Sequence, residues 1–187
     1  GLYYGGATLG IIGTRRDLEF IRQLPGKLIG MTKSYEDNDI GFAIVLQTRE
    51  QHIRRERATS NITTNSALMA IASSIYVLWL GGDGLKKLSL SIAARTQYLV
   101  EKLKQIPTLE APLFPKAILF MKVPVRFTSK DCETVIEILR NKGILCCSHL
   151  GRYDNELLNI ATLCVTEVHS KEDIDFLTLN LLEVLKE

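Results

Sequence analysis

Between Asn65 and Leu80 the apolar residues Leu68, Ile71, Ala72, Ile75 and Trp79 recur at three- and four-residue spacing. That period predicts a helix with one apolar face, ended by Gly81-Gly82. A second helix is predicted over about Asp83–Gln105, with Leu85, Leu88, Ile92, Leu99 and Leu103 on one side and Pro107 closing it. Upstream, the pattern predicts a turn at Gly5-Gly6, a strand through about Gly13, and a short helix over Arg15–Arg22. Extended segments follow over Lys27–Thr32 and Gly41–Gln47, with a polar turn at Tyr35–Asp39 between them. Downstream, a strand is predicted over Ala117–Val123 and a helix over Ser129–Lys142, with Ser129 as its N-cap and Gly143 beyond its end. Strands over Ile144–Ser148 and Leu157–Val165 and a last helix over Ser170–Lys186 complete the chain. The order strand, helix, strand, strand, helix predicts a small α+β domain from about Thr108 onward. Its predicted core is Leu119, Val135, Leu139, Ile160, Leu177 and Leu181.

Composition narrows the classes. The 187 residues suffice for one domain or two small ones, and 46% hydrophobic with 24% charged residues is ordinary for a globular protein. A net charge of +2 argues against a nucleic-acid binder. No apolar run is read as reaching the length of a membrane span and no signal peptide is read, so the expected setting is the cytoplasm, away from membranes. Cys132, Cys146, Cys147 and Cys164 lack CxxC spacing, and a strand would send Cys146 and Cys147 to opposite faces. They read as reduced, buried thiols and not as a disulfide set or zinc site. Glu167 lies near His169, but no further ligands at metal spacing surround His149 or His169, so no metal site is expected.

The candidate chemistry lies in Gln47–Asn65, QTREQHIRRERATSNITTN. Arg49, Arg54 and Arg55 are candidates for holding a carboxylate or phosphate through paired N–H groups. Glu50 and Glu56 offer the alternative of a purely structural ion network. His52 can titrate near neutrality and move protons, or make only a hydrogen bond. Thr59, Ser60 and Asn61 precede a helix start, where unpaired N–H groups and the dipole favour an anion. The same side chains also suit a simple helix cap.

This stretch, ending in Ser60-Asn61-Ile62-Thr63-Thr64-Asn65, resembles a signature of the glycine cleavage system P-protein family, and most resembles subunit 1 of its two-subunit form. Arg22–Gly30, RQLPGKLIG, is similar to a second family segment. The resemblance implies the carboxy-terminal part of a fold-type-I pyridoxal-phosphate-dependent transferase, an α/β fold with a small α+β domain. It divides the chain into the end of the large domain with the signature loop (1–64), linking helices (65–107) and the small domain (108–187). The start at Gly1 without methionine likewise reads as a piece of a longer protein.

The implied activity is decarboxylation of glycine on pyridoxal phosphate, with transfer of the aminomethyl group to the lipoylated H-protein. The implied Schiff-base lysine belongs to subunit 2, since no lysine here has the family's His-Lys-Thr context. No residue of this chain is therefore expected to be catalytic. Thr59, Ser60 and Asn61 are expected at the cofactor phosphate, and Arg49, His52, Arg54 and Arg55 at the substrate. Many relatives have Pro and His at Ala7 and Thr8, so those positions are not expected to act closely in the site. The fused form tends to have cysteine at Thr63, which reads as packing. The rival reading is a non-catalytic scaffold that stabilises its partner.

Overall fold

The computed structural model describes residues 10–35, 39–59, 62 and 66–186. They form two compact units that divide between Leu78 and Trp79.

In the first unit, Asp17 caps helix α1 (Leu18–Ile21) by accepting from the Glu19 N–H. Strands β1 (Leu28–Lys33) and β2 (Ile40–Val45) pair antiparallel, from Leu28 opposite Val45 to Lys33 opposite Ile40. The Ser34 N–H donates to the Asp39 carbonyl at 2.7 Å and closes the expected turn. Residues 36–38 of that turn lie outside the described residues, as do Gly5-Gly6 and the start of the first expected strand. The rest of that strand, 10–13, is not a strand in the structure.

The expected pair of helices exists as one helical stretch, α3 (Ala67–Leu103), interrupted at Gly81. Gly81 has φ 64° and ψ 179°, which is essentially a glycine-only conformation. The expected start, Asn65, lies outside the described residues; the described helix begins at Ala67, with the Ser66 carbonyl accepting from the Ala70 N–H. By length and composition this stretch is apolar enough to cross a membrane, which corrects the expectation that no run reaches that length. Two observations weigh against its crossing one. The part before Gly81 spans only about 21 Å at 1.5 Å per residue, against a hydrocarbon core of about 30 Å. The part after it carries Asp83, Lys86, Lys87, Arg95 and Glu101, and buries Ile92, Leu99, Val100 and Leu103.

The second unit holds a four-stranded antiparallel sheet in the order β3-β4-β6-β5: β3 (Leu109–Glu110), β4 (Lys122–Phe127), β5 (Cys147–His149) and β6 (Ile160–Cys164). Helices α4 (Cys132–Asn141) and α5 (Lys171–Lys186) pack against each other. The core joins Val123, Val125 and Phe127 of β4, Leu139 of α4 and Leu181 of α5 to Leu99 and Leu103 of α3. Of the expected core, Val135, Leu139, Ile160 and Leu181 are buried, while Leu119 and Leu177 pack against it partly exposed.

Three expectations are corrected. The strand expected at Ala117–Val123 lies at Lys122–Phe127, where Val123, Val125 and Phe127 alternate inward. The apolar run before it leaves Ile118 fully exposed, so hydrophobicity without alternation misled. The cap of α4 is Asp131, whose carboxylate accepts from the Thr134 N–H at 3.1 Å, and not Ser129. The thiols of Cys146 and Cys147 do not point apart: their Sγ atoms lie 2.8 Å from each other. Strand β5 begins only at Cys147, so the pleat does not govern Cys146.

Candidate functional site

Gln47–Arg57 does not form one solvated helix face. It folds as a 3-10 turn (Gln47–Arg49), helix α2 (Gln51–Arg54) and a second 3-10 turn (Arg55–Arg57). Arg49 is the reason. It is 6% exposed, and Glu50 beside it is 5% exposed. The Arg49 guanidinium donates to the Leu46 carbonyl at 3.2 Å, to the Leu24 carbonyl, and to the Gly26 carbonyl at 2.6 Å. Its Nη2 also lies 3.4 Å from Glu50 Oε1. A buried guanidinium needs such partners, because an unpaired one carries a large desolvation penalty.

The chain after α2 returns to this anchor. The Thr59 N–H donates to the Arg49 carbonyl at 3.3 Å. Ile62 sits over Gly26, where an added Cβ would lie 4.0 Å from its Cγ2. Gly26 itself has φ +74°, a left-handed conformation that glycine adopts without strain. Arg49 thus ties Leu24–Gly26, inside RQLPGKLIG, to the Gln47–Asn65 stretch. Two segments far apart in sequence form one local structure.

His52, Arg54 and Arg55 are exposed, and among the described residues no carboxylate pairs with them. Arg55 has φ 52° and ψ −119°, a strained conformation for a residue with a side chain. Such strain costs about 1–3 kcal/mol and clusters at functional sites. The structure therefore divides the four expected substrate contacts. Arg49 is committed to backbone carbonyls, and the other three present charge or donors to solvent. Thr59 is exposed, while Ser60, Asn61 and Thr63–Asn65 lie outside the described residues. Exposed guanidinium groups and a hydroxyl are donor types that hold an anion such as a phosphate or a carboxylate.

Sequence reasoning missed a cleft in the second unit. It has a volume of about 990 Å³ and is bounded by Lys122, Arg140, Cys146, Cys147, His149 and Arg152, among others. His149 is 8% exposed, and its Nε2 lies 2.7 Å from the Leu158 carbonyl. That contact fixes the proton on Nε2 and leaves Nδ1 an acceptor, without a partner among the described residues. The nearby thiols differ in character. Contact with Cys147 holds the Cys146 thiol below its ordinary value, while contact with Cys146 and burial raise Cys147. Burial pushes Cys132 up to about 12. Among the described residues no group of three or more side chains is placed to hold a metal ion.

The family model described as "Glycine cleavage system P-protein" matches residues 1–182. The chain is 42% identical over its whole length to a probable glycine dehydrogenase (decarboxylating) subunit 1 of Staphylothermus marinus, and covers 40% of that protein. It is 42% identical to the protein of the same description from Aeropyrum pernix, covering 98% of this chain and 38% of the relative. It therefore spans about 40% of the length of these relatives. Among solved structures it resembles a glycine decarboxylase (P-protein) of the glycine cleavage system in inhibitor-bound form. There the TM-score is 0.78 with 35% identity, over 89% of this chain and 37% of that one. A NifS-like protein from Rickettsia africae shares the fold at TM-score 0.53 and 16% identity, over 71% of this chain and 38% of that one. The expected α/β fold with a small α+β domain is the one observed, and it is shared with the solved P-protein and the NifS-like protein.

Proposed function

The chain belongs to the glycine cleavage system P-protein family, and from that premise we propose that it is part of subunit 1 of a two-subunit glycine decarboxylase. In this reading the enzyme takes glycine, releases carbon dioxide and passes the aminomethyl group to a lipoylated carrier, the H-protein. Bound pyridoxal phosphate, held by a lysine of subunit 2, supplies the electron sink for the carbanion left by decarboxylation.

This chain's own part is binding and positioning. Thr59, Ser60 and Asn61 meet the cofactor phosphate, with hydroxyl and amide donors ahead of α3. Arg54 and Arg55 meet the glycine carboxylate, and His52 adds a hydrogen bond or a proton. Arg49 takes the positioning role, since its guanidinium is already committed to Leu24, Gly26 and Leu46. The observation that carries the reading is this contrast: one buried arginine holds the loop, and two exposed ones stand beside it without a carboxylate partner.

The test is Arg54→Ala and Arg55→Ala in the full-length subunit assembled with its partner. Loss of a hydrogen bond to a charged group costs about 1.5–3 kcal/mol, which is roughly a 10- to 100-fold rise in KM for glycine. Normal KM and normal turnover in both variants would overturn the shared-site reading and leave this chain as a scaffold.

A further inference from the structure

We propose that Cys146 and Cys147 form a modification site, a vicinal dithiol that a hydroperoxide closes to a disulfide. The geometry comes first. The two Sγ atoms are 2.8 Å apart, so the thiols already touch, and closing the bond to about 2.05 Å asks only the backbone of this adjacent pair to adjust. Both are only half-buried and line the 990 Å³ cleft, which gives a small oxidant a way in. Lys122, Arg140 and Arg152 line the same cleft. Contact with Cys147, in which either thiol can donate, holds Cys146 below its ordinary value, so Cys146 is assigned as the nucleophile and Cys147 as the resolving thiol.

The other cysteines do not share this setting. Cys132 is fully buried, and burial raises its thiol. Cys164 lines the cleft, but burial raises it as well.

The chemistry balances in two steps. The Cys146 thiolate attacks one peroxide oxygen: an S–O bond forms, the O–O bond breaks, and the leaving oxygen takes a proton to depart as alcohol or water. The sulfur is now a sulfenic acid, oxidised by two electrons, and the hydroperoxide is reduced by two. Cys147 then attacks that sulfur, the S–S bond forms, the S–O bond breaks, and water leaves with the Cys147 proton. A thiol reductant reverses the change by exchange.

The sequence supplies a clean readout. Trypsin cleaves after Lys142 and Arg152, so both cysteines fall on one peptide, 143–152, free of Cys132 and Cys164. The full-length protein is treated with hydrogen peroxide, its remaining thiols are blocked with N-ethylmaleimide, and peptides are weighed. The expected result is that peptide 143–152 loses two hydrogens, gains no maleimide, and recovers both thiols after dithiothreitol. In Cys147→Ser, dimedone should trap a sulfenic acid at Cys146. A peptide that stays doubly alkylated, or that is joined to the peptide of Cys132 or Cys164, overturns the proposal. So does oxidation that stops at sulfinic acid, or dimedone labelling of Cys147 in Cys146→Ser equal to that of Cys146.

Discussion

At the scale of single residues, Arg49 shows how differently one side chain reads before and after folding. Its neighbours in sequence are charged, so it reads as one of several anion-binding arginines. Its true partners are carbonyls at Leu24 and Gly26, which no local spacing reveals. Replacing Arg49 with alanine leaves those carbonyls without donors and Glu50 buried without its counter-charge. Removing one partner of a buried pair costs about 3–5 kcal/mol. We expect Arg49→Ala to lose protection of residues 24–26 and 47–59 against proteolysis, and Arg49→Lys not to restore it. Lysine carries a point charge where a planar fork spans three carbonyls. Equal protection in the wild type and both variants would remove the anchor role. Leu139 is the opposite case, since its place in the core was legible from helical spacing alone. It is fully buried, so Leu139→Ala should cost about 2–5 kcal/mol. A thermal melt that does not move would exclude it from the core.

At the scale of elements, helices were easier to read than strands, because their signals are local. The Ser170–Asp173 spacing marks the start of α5, and the structure closes both halves of a capping box there. The Asp173 carboxylate accepts from the Ser170 N–H at 2.7 Å, and Ser170 Oγ accepts from the Asp173 N–H at 3.1 Å. Strand β4 was displaced because the apolar run before it, which lacks alternation, drew the expectation away from Val123, Val125 and Phe127, and its main partner β6 lies far along the chain. The cap gives a pH prediction. The Ser170 N–H holds the Asp173 carboxyl below its ordinary range. A depressed carboxyl contributes stability that is full above its unfolded value, about 3.9. That stability is lost as pH falls through the lower folded value. Asp173→Asn should therefore flatten the fall of Tm in acid while changing its slope little near neutrality. An unchanged acid slope would deny the carboxylate that part. Gly81 gives a second test. A Cβ there would meet nothing within 4 Å, so the cost of Gly81→Ala is backbone strain alone, about 1–3 kcal/mol. A more stable variant would mean that the break in α3 is not intrinsic to the backbone.

At the scale of the whole chain, burial is divided unequally between the two units. Every buried hydrophobic residue among those described lies at Ile92 or beyond. Before it, β1 and β2 expose one apolar face, where Ile29 stands opposite Ile44 and Met31 opposite Phe42. Leu68, Ile71, Ile75 and Leu78 of α3 are exposed as well. A two-stranded hairpin without a covered face is at best marginally stable in water. The periodicity of α3 was legible in the sequence, but the exposure of its first apolar residues was not, because spacing reports a face and not what covers it. We therefore expect backbone amide exchange to separate the units. In the isolated chain, β4, β6 and the inward face of α5 should exchange slowly, near the limit set by global unfolding. The β1–β2 amides should exchange orders of magnitude faster, since opening them exposes little that is not already exposed. In a protein of the relatives' full length, assembled with its partner, Ile29–Met31 and Phe42–Ile44 should become protected while β4 and β6 change little. If β1 and β2 are already as slow as β4 in the isolated chain, the hairpin has a stabilising contact of its own, and its apolar face is not waiting for a cover.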